Sequence, residues 1–415
     1  MNNKKQIVNN NFLADRIEKE QSQLSNEFKL LITLIGPAFN EHTTQSLDTF
    51  TKQQLNWNEF IRLINRHRVA PLVWRGLNRH SDFKIPLSIQ EKIDQQVSIN
   101  KKKALLQSNE LIKLCRLLND NGIEPVSLKG PILAKQVYGD IGMRHAGDLD
   151  IFIKPAELTK AKTTLLNYGY QLNSKYLSIS EKDERLFMKL RNHYQLSHNN
   201  STINIELHWR LLFSDSLNSC LNLAAPETRT IDFFNQTTNI LEPEINCIYL
   251  VLHGTRHAWF RLKWLCDIAE LRYRNPDLLE TVYNRYSRSL KLVRPFVQLD
   301  WLLQTYFSIS LPFIPRVRSK STQKMILYSS AQIHGKTIPP FSDLAKITRE
   351  IRYNLLIIKD LRYKIYFLLT KLIVAGDEWK ASQMPGWNVK LFRLIYSISR
   401  WIVNRRMVKE KSKKL

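Results

Sequence analysis

Glycine and acidic residues are both scarce in this chain. Only 12 of its 415 residues are glycine, and 37 Asp and Glu stand against 62 Lys and Arg. The shortage of glycine, with abundant Leu, Ile, Lys and Arg, argues against a strand-rich chain and predicts a mostly helical protein around one small sheet. The shortage of acids gives a formal net charge of +25, which suits an anionic partner.

Cysteine is also rare, and it forms no recognisable motif. The four cysteines lie far apart in the sequence without a CxxC pair: Cys115, Cys220, Cys247 and Cys266. This usage excludes a dense disulfide framework and fits reduced thiols in a cytoplasmic compartment.

Long uncharged apolar runs are missing as well. Residues 1–20 contain no apolar segment of the kind found in secretory signals, so we expect no signal there. The most apolar late stretch, residues 353–375, is interrupted by charged side chains, whereas a spanning helix needs about 20 largely uncharged residues. We therefore expect a cytoplasmic protein, with peripheral attachment to the inner face of the membrane as the alternative.

The length and the apolar content of 43% allow a sizeable core and two or three globular units. We assign residues 1–100 to a helical N-terminal region, 101–210 to a catalytic core, 211–350 to a helical domain and 351–415 to a basic amphipathic helical region. The predicted fold class is α+β, with a small mixed sheet flanked by largely helical N- and C-terminal regions.

The segment around residue 150 carries the strongest chemical signal. Asp148-Leu149-Asp150 leads into Ile151-Phe152-Ile153, whose β-branched and aromatic residues predict a strand. Side chains two residues apart on a strand point to the same face, so Asp148 and Asp150 are expected to converge. Paired carboxylates share a proton or bind a hard divalent cation. The competing interpretation is a solvated strand end with two surface aspartates.

A Lys-Gly-Pro turn precedes this pair. Residues 123–129 predict a short strand, and Pro131 suits the first turn of a helix that runs to about Tyr138. A helix N-terminus beside Lys129 and Gly130 can bind phosphate. Pro131 offers no N–H, so phosphate would depend on Lys129, the Gly130 amide or donors deeper in the helix. The alternative is an ordinary strand-to-helix connection.

A third carboxylate follows on a predicted hairpin. Pro155 opens another helix that closes near Gly169. Residues 192–198 and 202–209 then predict two strands joined through Asn199-Asn200. On the second strand, Glu206 shares a face with Asn204 and His208.

In combination, these motifs resemble the uncharacterised nucleotidyltransferase family of the polymerase-beta-like nucleotidyltransferase superfamily. Members of that family show a Leu-Lys-Gly turn, a Tyr and an Arg before an Asp-x-Asp strand, a Gly-Tyr ending and a later Glu-x-His-Trp. The matching residues are Leu128-Lys129-Gly130, Tyr138, Arg144, Asp148-Leu149-Asp150, Gly169-Tyr170 and Glu206-Leu207-His208-Trp209. Detailed matching covers about residues 100–210, while His67–Leu72 and Arg261–Asp267 resemble the family in outline.

The resemblance implies that Asp148 and Asp150 hold Mg²⁺ or Mn²⁺ ions bridging a nucleoside triphosphate. It implies that Glu206 completes the metal site and helps to deprotonate the acceptor hydroxyl. Three carboxylates with nearby cations are sufficient parts for in-line phosphoryl transfer. The candidates for binding the triphosphate are Lys129, Gly130 and Arg144, and those for facing the acceptor are His208, His257 and Asp267.

His253 and His257 lie four residues apart in a helix predicted over residues 245–272. No Glu follows His253, as zinc-protease chemistry would require. We interpret both histidines as structural or substrate-facing rather than as metal ligands.

The last 26 residues predict a basic amphipathic helix. Leu391, Ile395, Ile398 and Ile402 recur at helical spacing between lysines and arginines. Such a helix suits an anionic membrane surface or a phosphate-rich partner, and the alternative is a terminal helix docked on its own domain with a solvated tail. RNA is the other polyanion to consider, although no helix-turn-helix, zinc-finger or RNP-type motif is present.

With the resemblance, these observations predict metal-dependent transfer of a nucleoside monophosphate from an NTP to a hydroxyl acceptor, with release of pyrophosphate. Bacterial members of the family often look associated with surface-polysaccharide assembly, so a sugar or lipid-linked acceptor is preferred. Two alternatives stay open: nucleotide transfer to RNA, as in toxin-like relatives of the superfamily, and a non-catalytic scaffold or binding protein at a membrane surface.

Overall fold

The computed structural model gives the fold of most of the chain. It describes residues 22–37, 53–145, 147–173, 191–198, 203–212, 225–315, 319–335 and 343–373, together with residues 19, 47, 49–51, 184, 187 and 188. The basic segment after residue 373, for which the sequence predicts an amphipathic helix, lies outside the described residues.

Helices dominate the described residues. They are α1 Asn26–Ile35, α2 Trp57–His67, α3 Ala70–Arg79, α4 Leu87–Asp120, α5 Gly130–Tyr138, α6 Leu158–Asn167, α7 Pro243–Arg256, α8 Leu262–Arg274, α9 Leu278–Tyr286, α10 Val293–Phe307, α11 Lys320–His334, α12 Asp343–Ile357 and α13 Leu361–Ile373. Short 3₁₀ helices cover Ile141–Met143 and Pro155–Glu157. None of the described helices is long and apolar enough to cross a membrane.

One mixed sheet forms the centre of the protein. Its strands are β1 Val126–Ser127, β2 Leu149–Phe152, β3 Tyr170–Leu172, β4 His193–His198, β5 Asn204–His208, β6 Thr228–Asp232 and β7 Thr237–Leu241. Their order across the sheet is β3-β4-β5-β2-β1-β7-β6. The pairs β2–β5 and β1–β7 are parallel, and the other neighbours are antiparallel. The predicted α+β class is therefore confirmed.

The two faces of the sheet pack into different cores, because side chains alternate along each strand. Leu149, Ile151 and Ile205 point toward the C-terminal half of α4 and toward α6. Phe152 and Val126 point instead toward the helices before and after the sheet. Asp150 and Glu206 lie on the Phe152 side, so the predicted carboxylates face the large helical core.

Two features differ from the predicted division of the chain. Residue 100 falls within the continuous 34-residue helix α4, whose first half packs with the N-terminal helices and whose second half packs under the sheet. Residue 210 is not the end of the sheet either, since β6 and β7 return to it and β7 pairs with β1. The strands 228–232 and 237–241 escaped prediction because each has only five residues and few of them are apolar.

The helical stretch expected over residues 245–272 consists of two helices, because α7 and α8 are separated by a turn at 257–261. Ala258 and Trp259 have positive φ values of 50° and 53°, and the buried Trp259 ring lies against Gly254. A Cβ at position 254 would approach that ring to 2.3 Å, so glycine is required there. The chain is thereby turned back, and the turn places Phe260 and Arg261 beside the sheet.

Candidate active site

A cavity of about 740 Å³ lies where the sheet face that carries Asp150 and Glu206 meets α7, the following turn and α13. Eight of the nine site residues expected from the sequence line it: Lys129, Gly130, Arg144, Asp148, Asp150, Glu206, His208 and His257. Asp267 is the exception.

Strand register brings the carboxylates together. β2 and β5 pair in parallel with Asp150 opposite Glu206, so the two side chains leave adjacent strands on the same face. Asp148 stands two residues earlier, at the start of β2, beside Asn204. Asn100 and Gln107 of α4 fix the preceding loop by donating to the carbonyls of Gly142 and Gly147 at 2.7 and 3.1 Å.

His208 links two of these carboxylates. Its Nε2 lies 3.2 Å from Asp150 Oδ1 and 3.2 Å from Glu206 Oε2. Burial lowers the pKa of His208, but the two carboxylates outweigh it and raise the pKa above its ordinary value. The resulting imidazolium would hold Asp150 and Glu206 in place.

His193 joins the group from the neighbouring strand. It pairs with His208 across β4 and β5, and its Nε2 lies 3.7 Å from Glu206 Oε1. Burial and the neighbouring His208 depress the pKa of His193 to about 3, so this ring is neutral at pH 7. Gln195, opposite Glu206 two pairs further along, donates to Glu206 Oε1 at 3.3 Å.

Lys129 and Asp150 form the central ion pair of the site. Lys129 Nζ lies 3.0 Å from Asp150 Oδ1 and 5.3 Å above the ring of Tyr249. Burial alone would lower the pKa of Lys129, but Asp150, Tyr249 and Glu206 raise it overall. Burial likewise opposes ionisation of Asp150, yet Lys129 and His208 hold its pKa well below the usual range. Both groups are charged at neutral pH.

Asp148 has the opposite electrostatic situation. Burial and the nearby charges of Glu206 and Asp150 raise its pKa, with Lys103 acting in the other direction. Crowded carboxylates of this kind are the groups that a bound cation would stabilise.

The Lys-Gly turn is built around a glycine conformation. Gly130, the first residue of α5, has φ +68°, a value that other residues rarely adopt. The Leu128 amide donates to the Asp150 carbonyl at 3.1 Å, which keeps the turn beside β2. The N-terminus of α5 consequently opens at the carboxylates, as the sequence predicts for a phosphate-binding turn.

Asp267 is placed differently from the expectation that it faces the acceptor. It is buried, outside the cavity lining, and its carboxylate accepts from Arg144 Nε at 2.9 Å and from the Tyr138 hydroxyl at 2.9 Å. This network holds Arg144 at the cavity wall, close enough to Asp150 for that charge to raise the Arg144 pKa. Asp267 fixes a cation rather than a substrate.

His253 and His257 line the cavity, and their rings contact each other. Their centroids lie 4.7 Å apart, and the His257 ring lies 5.2 Å from Trp264. Burial lowers both pKa values, that of His257 to about 3, so both rings are neutral. The geometry agrees with a structural or substrate-facing role.

Most of the cationic lining escaped the sequence analysis. Besides Lys129 and Arg144, the cavity is lined by Arg68, Arg191, Arg210, Arg256, Arg261 and Lys263. Arg68 and Arg261 belong to the segments His67–Leu72 and Arg261–Asp267, which resemble the family in outline. His67 connects the two segments by accepting a hydrogen bond from the Leu262 amide at 3.2 Å. His193 lies on a predicted strand of the hairpin, but only the register of the structure places it opposite His208. The arginines gave no local signal, because they come from elements far apart in the chain.

The comparison with known families agrees with this geometry. The family described as uncharacterised nucleotidyltransferase matches residues 53–308, more than half of the chain. No curated protein and no solved structure is detectably similar to it. The matched range contains the sheet, both outline segments and all eight lysines and arginines of the cavity. The chain therefore belongs to the uncharacterised nucleotidyltransferase family.

Proposed function

We propose that the cavity transfers a nucleoside monophosphate from an NTP to a hydroxyl acceptor and releases pyrophosphate. Family membership supports nucleotidyl transfer and an NTP substrate. The observation that carries the proposal for this cavity is the convergence of three carboxylates, Asp148, Asp150 and Glu206, beside Lys129 and Arg144.

The donor set fits hard divalent cations. Carboxylate oxygens are the ligands that Mg²⁺ and Mn²⁺ prefer, and we assign Asp148, Asp150 and Glu206 to that role. With His208 deprotonated, the ligand atoms of His193, Glu206 and His208, which lie within 4.8 Å of one another, would form a second grouping able to hold an ion. When bound, the metal ions would neutralise the triphosphate and stabilise the entering and leaving oxygens.

The cations of the chain would bind the donor. Lys129 lies at the opening of the Gly130 turn, and the Asp267 network presents Arg144 from the other side. Buried guanidinium and ammonium groups form strong charge-assisted hydrogen bonds with phosphate oxygens. We assign Lys129, Gly130 and Arg144 to triphosphate binding on this basis.

Glu206 is the proposed base toward the acceptor. Burial raises its pKa, but the hydrogen bond from His208 keeps it below the ordinary value, so Glu206 is ionised and able to accept a proton. In the reaction, the hydroxyl proton would pass to Glu206 and the hydroxyl oxygen would bond to the α-phosphorus. The bond from that phosphorus to the bridging oxygen would break, and pyrophosphate would leave with it.

A sugar or lipid-linked acceptor of surface-polysaccharide assembly remains our preferred proposal. It is supported by the basic, amphipathic sequence of the last residues, which suits an anionic membrane surface. Removal of residues 390–415 should lower binding to vesicles that contain anionic lipid without changing NTP binding.

The proposed function is tested by calorimetric titration of the four NTPs with Mg²⁺. Wild type should bind at least one NTP only when the metal is present, and Asp148→Asn/Asp150→Asn should lose that binding because two ligand charges are removed. Asp148→Asn alone is the second variant, since Asp150 also neutralises the buried Lys129. The matched control is Asp94→Asn/Asp120→Asn, which removes two exposed carboxylates of α4. Metal-dependent NTP binding that survives in Asp148→Asn/Asp150→Asn would contradict the assignment.

A further inference from the structure

Apart from Lys129, which pairs with Asp150, the lysines and arginines of the cavity fall into two groups on either side of the carboxylates. The donor group is Arg68, Arg144, Arg261 and Lys263, on the Asp148 side. Burial lowers the pKa of Arg68, and the nearby charge of Asp148 offsets part of that effect. Burial also lowers the pKa of Lys263, and the charges of Arg144, Arg68 and Arg261 lower it further. Lys263 Nζ donates to the His145 carbonyl at 2.9 Å, next to the loop that leads into β2.

The second group, Arg191, Arg210 and Arg256, extends the polar stripe of the β4–β5 hairpin. Along this hairpin Gln195 lies opposite Glu206, and His193 opposite His208. The Trp209 amide donates to the Asn192 carbonyl at 3.0 Å, which continues the pairing by one residue. Arg191 and Arg210 follow directly, so by alternation they return to the cavity side of the hairpin. Arg191, His193, Glu206, His208 and Arg210 all line the cavity.

Arg256, the last residue of α7, lies over this end of the stripe. It is exposed to water yet densely surrounded by protein, as expected for a side chain that faces into a cavity. Its neighbours include Arg191, whose charge lowers the Arg256 pKa, and Glu350, which offsets part of that effect. Arg191 Nε is buried without a hydrogen-bond partner among the described residues. Like charges gathered in this way are costly unless an anion binds between them.

Binding of the NTP donor does not by itself account for the second group of arginines. Eight lysines and arginines line the cavity against three carboxylates. A triphosphate and its divalent cations largely neutralise each other, whereas Arg191, Arg210 and Arg256 lie beyond His193 and His208, away from the three carboxylates. Two rows of the stripe separate them from Glu206, at about 7 Å per row on an extended strand. A phosphate held there would lie roughly ten bonds from a hydroxyl at Glu206, at the far end of the acceptor.

We propose that the hydroxyl acceptor is itself a small phosphorylated compound, and that Arg191, Arg210 and Arg256 bind its phosphate. This inference rests on the proposed nucleotidyl transfer and specifies the second substrate. The cavity volume of about 740 Å³ lies within the roughly 300–1,000 Å³ range of small-molecule sites. Tyr366 and Phe367 of α13 also line the cavity, and Arg210 donates to the Tyr366 hydroxyl at 3.3 Å. A cavity of this volume suits a small phosphate ester better than a nucleic acid.

The test uses the full chain loaded with Mg²⁺ and a non-hydrolysable analogue of the NTP that binds, with inorganic phosphate as the probe. Wild type should bind phosphate saturably in this complex. Arg191→Gln/Arg256→Gln should weaken phosphate binding more than about tenfold, since two charge-assisted contacts are lost, while the NTP analogue still binds. Arg191→Lys/Arg256→Lys, which keeps both charges, should retain most of the phosphate affinity.

The matched control is Arg68→Gln/Arg261→Gln, which removes two charges from the donor group. It should weaken binding of the NTP analogue and leave phosphate binding largely unchanged, and melting temperatures of all variants report folding. Equal phosphate affinity in wild type and Arg191→Gln/Arg256→Gln would overturn the inference, as would a nucleotide complex that binds no phosphate. The inference would also be overturned, in favour of an RNA acceptor, if phosphate did not bind but a short single-stranded RNA did, and if Arg191→Gln/Arg256→Gln abolished that RNA binding. Absence of metal-dependent NTP binding in wild type would refute the proposed function itself.

Discussion

Single residues of the site have roles that depend on their immediate partners. Asp150 contacts both Lys129 and His208, whereas Asp148 lies among like charges. The two carboxylates of one Asp-Leu-Asp motif consequently have pKa values shifted in opposite directions. A cation would stabilise Asp148 by relieving repulsion, while at Asp150 it would compete with Lys129.

Glu206→Gln should separate the two roles of Glu206. If it acts mainly as the base toward the acceptor, the amide should lower turnover by roughly 10²–10⁴-fold and change NTP affinity little. Single-turnover rates and calorimetric NTP affinities measure the two effects separately. Gln195→Ala is the control, because it removes a hydrogen bond to Glu206 but keeps the carboxylate. An equal loss of turnover and NTP binding would make Glu206 a metal ligand only.

At the scale of elements, the site depends on connections between parts of the chain distant in sequence. α2 ends at His67, which is completely buried and accepts a hydrogen bond from the first amide of α8. Arg68, which follows His67, and Arg261, which precedes Leu262, both line the cavity. A single buried imidazole therefore fixes the spacing of two cations that the sequence separates by almost 200 positions.

This connection should make stability pH-dependent. Burial, assisted by nearby cations, depresses the pKa of His67 to about 3, against 6.5 for an exposed histidine. Below pH 6.5 the unfolded chain binds a proton that the folded chain does not, so the free energy of unfolding falls as the pH drops. His67 alone should remove about 2 kcal/mol between pH 6.5 and pH 5.

Urea denaturation at pH 7.5 and pH 5.0 measures this effect in wild type and in His67→Gln. The glutamine can still accept from the Leu262 amide but does not titrate, so the difference between the two pH values should shrink by about 2 kcal/mol. His80→Gln, at the partly exposed end of α3, is the matched control and should leave the difference near its wild-type value. An unchanged pH dependence in His67→Gln would show that His67 is not neutral in the fold.

For the whole molecule, the cavity is assembled from nearly every region of the chain. Arg68 comes from the N-terminal helices, the carboxylates from the central sheet, Arg256 and Arg261 from beyond β7, and Tyr366 from α13. The sheet is equally shared, because the two-residue strand β1 lies between β2 and β7. The helices that precede the sheet in the chain and those that follow it together cover one of its faces.

Residues 101–210 expressed alone should accordingly fail to form the site. The fragment would lose β6, β7, half of α4 and the helices that bury Phe152, so a large apolar face would meet water. We expect no cooperative unfolding transition by circular dichroism and no metal-dependent NTP binding. A fragment that unfolds cooperatively and binds NTP would show that the predicted core is an independent domain.

The sequence by itself determined the local parts of this protein. Strict alternation placed Asp148 with Asp150 and Glu206 with His208, the Lys-Gly-Pro turn opened α5, and the strands predicted on either side of Asn199-Asn200 form the β4–β5 hairpin, although its register did not follow from them. These features depend on neighbours a few residues away, where backbone geometry alone sets which side chains share a face.

Only the tertiary structure decided which long-range residues complete the site. The parallel pairing of β2 with β5, the return of β7 to β1, the burial of Asp267 under Arg144 and the two groups of cavity arginines leave no periodic trace in the sequence. They arise because the helices must cover one apolar sheet face, and their packing brings together charges that the chain keeps far apart.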